Sequence, residues 1–144
     1  MAEKNYVSIV LGGKLSLTDP VLKGLKASAL ILAADRGLDH LYQAGFMPDL
    51  LLGDFDSVSD EAMHWAKEAG VIIETYPVRK NKTDGELAID RALADGYNRL
   101  KIWGTSGDPR PDHFLSILLY CLWMREKFGI ETSICDGKNV HIPL

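Results

Sequence analysis

Cysteine is scarce in this chain of 144 residues: Cys121 and Cys135 stand alone, far apart and in apolar settings. That excludes a disulfide framework and a thiolate metal site, and it fits a reduced cytosolic protein. An excess of positive charge is missing too. Sixteen Lys and Arg against twenty Asp and Glu give a formal charge of -4, which removes the electrostatic case for nucleic acid. A polyanionic ligand would therefore need a cation to mediate. No apolar run is long enough for a bilayer, since the longest, residues 114–124, includes Ser116. The opening Met1-Ala2-Glu3-Lys4-Asn5 carries an acid and leads into a strand pattern, so it does not read as a signal peptide. The expected location is the cytoplasm, with no membrane partner. Familiar site signatures are absent as well. Gly12-Gly13-Lys14 lacks the spacing of a Walker A loop, no Gly-x-Gly-x-x-Gly follows a strand, there is no His-Glu-x-x-His, and Ser106 is not in a Gly-x-Ser-x-Gly elbow. Kinases built on those ATP loops are excluded, whereas metal-assisted phosphate transfer on acids is not.

What is present is an ordinary soluble composition, 47% hydrophobic and 25% charged, at a length that buries about 70% of the unfolded surface around one core. One domain over residues 1–144 is expected, with no repeats or low-complexity linkers. Apolar runs at 6–11, 29–33, 50–52, 71–76 and 100–103 read as strands, and 130–135 and 140–142 as closing strands. Between them lie helical patterns. Asp19-Pro20 opens a short one, and Leu38, Leu41 and Tyr42 form a stripe stopped by Gly45. Another spans 60–69 before Gly70, and Thr83 and Glu86 have the spacing of a capping box for a helix through Ala94. The helix beginning near His113 is apolar nearly all round and is expected in the core or under a partner. Trp65, Trp103 and Trp123 read as core. The alternation predicts a doubly wound, Rossmann-like α/β three-layer sandwich with a mostly parallel sheet. A strand-like end at Leu144 with no polar trailer suggests a cut at a domain boundary.

The candidate chemistry is carboxylate. Leu50-Leu51-Leu52 reads as a buried strand that delivers Gly53, Asp54 and Asp56 to the sheet's carboxyl edge, where α/β proteins bind ligands. Asp35 follows an earlier strand, and Asp84 and Asp112 precede helices, so residues distant in sequence converge on one crevice. Each has a bland alternative as a turn former or helix cap. Together, five acids at one rim either repel or share a cation, and hard oxygen ligands suit Mg²⁺. Lys80, Lys82 and Arg110 lie in the same loops and are candidates for phosphate oxygens, Arg110 through a bidentate fork. His113 is a candidate phosphate donor or a local hydrogen-bond partner; His40, His64 and His141 read as structural.

The combination Val10-Leu11-Gly12-Gly13, Ala34-Asp35-Arg36-Gly37, Gly53-Asp54-Phe55-Asp56-Ser57, Lys82-Thr83-Asp84 and Arg110-Pro111-Asp112-His113 resembles the thiamine pyrophosphokinases along nearly the whole chain. The resemblance implies Mg²⁺-dependent transfer of a diphosphoryl group from ATP to thiamine, giving thiamine diphosphate and AMP. It also implies metal binding by Asp54, Asp56 and Asp84, support from Asp35 and Asp112, and a nucleotide near Lys82, Arg110 and His113. A homodimer and a carboxyl-terminal β-sandwich domain that helps form the thiamine pocket belong to the same pattern, and the latter is not expected within these residues. One loop departs from it: Gly107-Asp108-Pro109-Arg110 replaces the family's second glycine and adds a residue. The alternatives are transfer to another alcohol, phosphate hydrolysis, or a nucleotide-binding module without turnover.

Overall fold

The computed structural model describes residues 6–53, 55, 57–75, 83–105, 111–135 and 141–143, with backbone only for 84, 111–114 and 141–143. The strands are β1 (Val7–Val10), β2 (Leu30–Ala34), β3 (Leu50–Gly53), β4 (Ile72–Thr75), β5 (Arg99–Trp103), β6 (Glu131–Cys135) and β7 (His141–Pro143). They form one sheet in the order β4-β3-β2-β1-β5-β6-β7. Pairing is parallel from β4 through β6, and β7 joins antiparallel to β6.

Side-chain alternation divides the sheet between two cores. Ile9, Leu32, Leu50, Leu52 and Ile102 join one cluster; Val10, Ala33, Leu51 and Trp103 join the other. The three consecutive leucines are thus split between both faces, which is why a parallel strand shows no polar alternation. Helices α1 (Asp19–Lys26), α2 (Gly37–Ala44) and α3 (Asp60–Glu68) pack on the Val10 face. Helices α4 (Asp84–Ala94) and α5 (Pro111–Phe128) pack on the Ile9 face. From β1 the chain steps one way to β4 with helices on one face, then from β5 the other way with α5 opposite. Reversing both direction and face preserves a single crossover hand.

Local signals explain the boundaries. Gly45 ends α2 in the left-handed conformation at φ +79°, the usual glycine stop. Thr83 Oγ1 accepts from Glu86 N (3.2 Å) while Thr83 N donates to Glu86 Oε1 (3.0 Å). The predicted capping box is therefore present. Thr83→Ala is expected to cost about 1 kcal/mol, read as a lower denaturation midpoint with an unchanged denaturant slope.

Helix α5 opens at Pro111 with His113 in its first turn, and the core of this chain takes one of its faces. Ile117, Cys121 and Met124 enter the core, while Leu115 (51% exposed), Leu119 (55%) and Trp123 (48%) face outward. Trp123 is accordingly not a core residue, although it stacks on Tyr120, whose hydroxyl donates to Asp90 of α4. Tyr42 likewise leaves the buried stripe of α2 and packs edge-on against Trp65. Both cysteines are buried, and burial pushes the Cys121 thiol up to about 11. A thiol held neutral in this way is a poor nucleophile at neutral pH.

Candidate functional site

Strand order reverses direction between β1 and β5, and in an open α/β sheet the crevice at that point receives the ligand. The two strand ends run together there. Leu11 N donates to Trp103 O (2.8 Å) and Gly13 N donates to Gly104 O (2.7 Å). Glycine is required by contact: a Cβ on Gly104, whose φ is +81°, would lie 2.2 Å from Leu11 O. Thr105, next in the chain, is buried, and its hydroxyl has no hydrogen-bond partner among the described residues.

One strand over, β2 ends on Asp35 at φ +48°, a left-handed conformation that aspartate tolerates better than most residues. Its N–H donates to Leu52 O (3.0 Å), and its Oδ1 accepts from Phe55 N (3.0 Å). Phe55 stands between Asp54 and Asp56 in the sequence and itself has φ +68°. The Asp35 carboxylate also fills the space beside Gly53, where a Cβ would come within 2.2 Å of Oδ1. A partly buried carboxylate thus holds Gly53 and Phe55, the described neighbours of the candidate metal ligands.

A second tie lies on the far side. Asp39 Oδ1 accepts from Ser59 N (3.2 Å) and Ser59 Oγ (2.5 Å). Ser59 Oγ in turn accepts from Ala62 N (3.2 Å), capping α3. His40 Nε2 donates to Gly13 O (2.6 Å). Because a carbonyl only accepts, that nitrogen carries the proton.

The acid-bearing start of α4 belongs to the same edge. Gly85 packs so closely that a Cβ would lie 2.4 Å from Ile117 Cδ1 and 3.4 Å from Leu11 Cδ1. The first turn of α4, which Asp84 opens, therefore stands beside the end of β1 and against α5. Asp112 occupies the second position of α5 and His113 the third. Asp54, Asp56, Lys82 and Arg110 lie outside the described residues, as do the side chains of Asp84, Asp112 and His113. Among the described residues no group of three or more His, Cys, Asp or Glu side chains gathers for a metal.

Three contributors were not evident in the sequence. Asp39 and His40 reach partners 20 and 27 residues away, and no local pattern marks such contacts. Asp49 accepts from Ile31 N through Oδ2 (2.8 Å) while its own N–H donates to Ile31 O (2.8 Å). It extends the β2–β3 pairing at the end opposite the crevice, so its role is structural.

Comparison with known proteins gives the family. The family model described as "Thiamin pyrophosphokinase, catalytic domain" matches residues 21–134. The curated "Thiamine pyrophosphokinase" of Bacillus subtilis is 30% identical over 138 residues, 96% of this chain and 63% of the relative. The crystal structure of the Bacillus subtilis thiamine pyrophosphokinase superposes with a TM-score of 0.75 at 30% identity, covering 91% of this chain and 60% of that one. Yeast thiamin pyrophosphokinase shares the fold with a TM-score of 0.78 at 15% identity, over 93% of this chain and 59% of its own. The chain thus spans less than two thirds of the relatives it matches. A strand-end glycine crevice, an acid segment pinned by Asp35 and a match over most of the residues lead to one assignment: the chain belongs to the thiamin pyrophosphokinase catalytic-domain family.

Proposed function

We propose that these residues form the nucleotide- and metal-binding part of an ATP:thiamine diphosphotransferase, producing thiamine diphosphate and AMP. The observation that carries the reading is the hydrogen bond from Phe55 N to Asp35 Oδ1. It holds the backbone between Asp54 and Asp56 at the edge where the glycine ends of β1 and β5 meet. Diphosphoryl transfer asks little covalent chemistry of a protein and much positioning and charge neutralisation.

The donor set fits Mg²⁺, because aspartate oxygens are hard ligands and a carboxyl edge leaves room for substrate phosphates. Asp54, Asp56 and Asp84 are the proposed ligands. When bound, the ion would neutralise phosphate charge and orient the transferred group. Asp35 supports the site through the Phe55 amide, and Asp112 stands with His113 in the first turn of α5. Lys82, Arg110 and His113 hold nucleotide phosphate oxygens, and a rim carboxylate takes the proton of the attacking alcohol. The glycine crevice lets phosphate approach backbone N–H groups closely, as phosphate-binding loops do.

Residues 1–144 are assigned the catalytic role, and thiamine binding is assigned in part to the β-sandwich expected of the family. A homodimer and a cytoplasmic location complete the proposal. No helix among the described residues is long and apolar enough to cross a membrane. A second reading, a nucleotide-binding module without turnover, is favoured by Gly107-Asp108-Pro109-Arg110, where proline removes an N–H donor from a loop expected beside phosphate.

The test is product analysis with ATP, Mg²⁺ and thiamine. Thiamine diphosphate and AMP in equal amounts, lost on chelation, are expected. ATP binding without AMP release to any acceptor would favour the second reading, and AMP release with another alcohol while thiamine stays inert would reject both.

A further inference from the structure

We propose that Asp39 and His40, adjacent in the first turns of α2, are positioning residues that set the two halves of the site from one rigid element. Asp39 sets the acid-bearing side and His40 the glycine side. This inference rests on the functional reading given above.

The β2–α2 corner is wedged between the strand-end segments on either side. Gly37 lies so close to β1 that a Cβ would stand 1.9 Å from Val10 O, and a Cβ on Gly12 would meet Arg36 Cβ at 2.7 Å. Helix α2 therefore has no slack against β1. Successive helical residues point about 100° apart, so neighbours can reach opposite flanks. Asp39 reaches Ser59 by two hydrogen bonds, one accepted from a backbone amide and one from the hydroxyl that caps α3. His40 reaches the Gly13 carbonyl, beside the link from Gly13 N to Gly104 O across the switch point. Asp35 holds Phe55 and Asp39 holds Ser59, so the acid segment is pinned on both sides of Asp56. On the other flank His40 holds Gly13. Metal ligands and phosphate crevice are thus referenced to the same helical turn.

The two residues should separate in their effects. Supporting hydrogen bonds around metal ligands are typically worth about 10–100-fold in affinity. Asp39→Ala is therefore expected to weaken Mn²⁺ binding about 10-fold while leaving ATP affinity at saturating Mg²⁺ near that of the wild type. His40→Ala should weaken ATP about 10-fold and leave Mn²⁺ unchanged, a magnitude taken from the same range of supporting contacts. Asp39→Asn, whose Oδ1 still accepts, and His40→Gln, whose amide still donates, should restore each loss. Amide hydrogen exchange gives a readout free of ligand. Asp39→Ala should speed exchange at residues 57–62 and His40→Ala at residues 11–14, each without the other. Wild-type affinities and exchange in both alanine variants would overturn the inference. So would equal losses of both ligands in step with a lower melting temperature. A wild type that binds neither Mn²⁺ nor Mg²⁺·ATP would instead refute the functional reading, and the exchange pattern alone would then decide whether α2 sets the two segments.

Discussion

Asparagine at position 54 or 56 should cut thiamine diphosphate formation by at least about 100-fold, the upper end of what even supporting residues of a metal site cost. The change is nearly isosteric, so the fold is expected to survive: α3 keeps its Ser59 cap, and Asp35 keeps the Phe55 amide. What disappears is one negative charge and one anionic ligand. A cation bound by a few carboxylates is held mainly by that charge, and the phosphates it neutralises lose their counter-ion. The loss should fall on turnover and metal dependence together. Raising Mg²⁺ should recover part of the activity in either single variant and little in the double variant. Steady-state rates across a Mg²⁺ series, beside a thermal melt matching the wild type, make the check. A folded Asp54→Asn protein with full activity would remove Asp54 from the metal site.

Gly37→Ala should be the most destabilising single methyl in the described structure. The added carbon would lie 1.9 Å from Val10 O and 2.6 Å from Val10 C. Both are backbone atoms of the central strand, which is fixed by β2 on one side and β5 on the other. No rotamer relieves such a contact, so α2 must move away from β1. Overpacking of this kind costs about 3 kcal/mol or more, on the order of 10 °C in melting temperature for a chain of this size. Because α2 also carries Asp39 and His40, the site should loosen with the fold. Ligand affinity and stability are expected to fall together here, unlike in the Asp39 and His40 variants. A melting temperature within 2 °C of the wild type would contradict the close packing, given about 2–4 °C per kcal/mol for larger domains.

Much of this architecture could be read from the sequence because its determinants are local. Leu50-Leu51-Leu52 is apolar without alternation, as a parallel strand buried on both faces is. Thr83 and Glu86 act over three residues, and their reciprocal hydrogen bonds are those the spacing foretold. The placement of Asp35 directly after β2 was equally legible, since parallel strands send such segments to one edge. Contacts between elements were not. Nothing near Asp39 in the sequence announces Ser59, and nothing near His40 announces Gly13. His40 read as structural, and its ring bonds to the backbone carbonyl of Gly13. The left-handed conformations of Asp35 and Phe55 were hidden too, because glycine is the residue that usually signals them. Helix α5 misled for another reason: its apolar residues form both a buried face and an open one, and the pattern does not say which neighbour covers the second.

The claim on which the account stands is that carboxylates from separate strand ends jointly hold a divalent ion against nucleotide phosphates. Calorimetric titration of ATP into the wild type, once with Mg²⁺ and once with a chelator, tests it most directly. The account predicts binding that requires Mg²⁺ and vanishes in the Asp54→Asn, Asp56→Asn double variant. Equal affinity with and without the metal, retained in that variant, would contradict it.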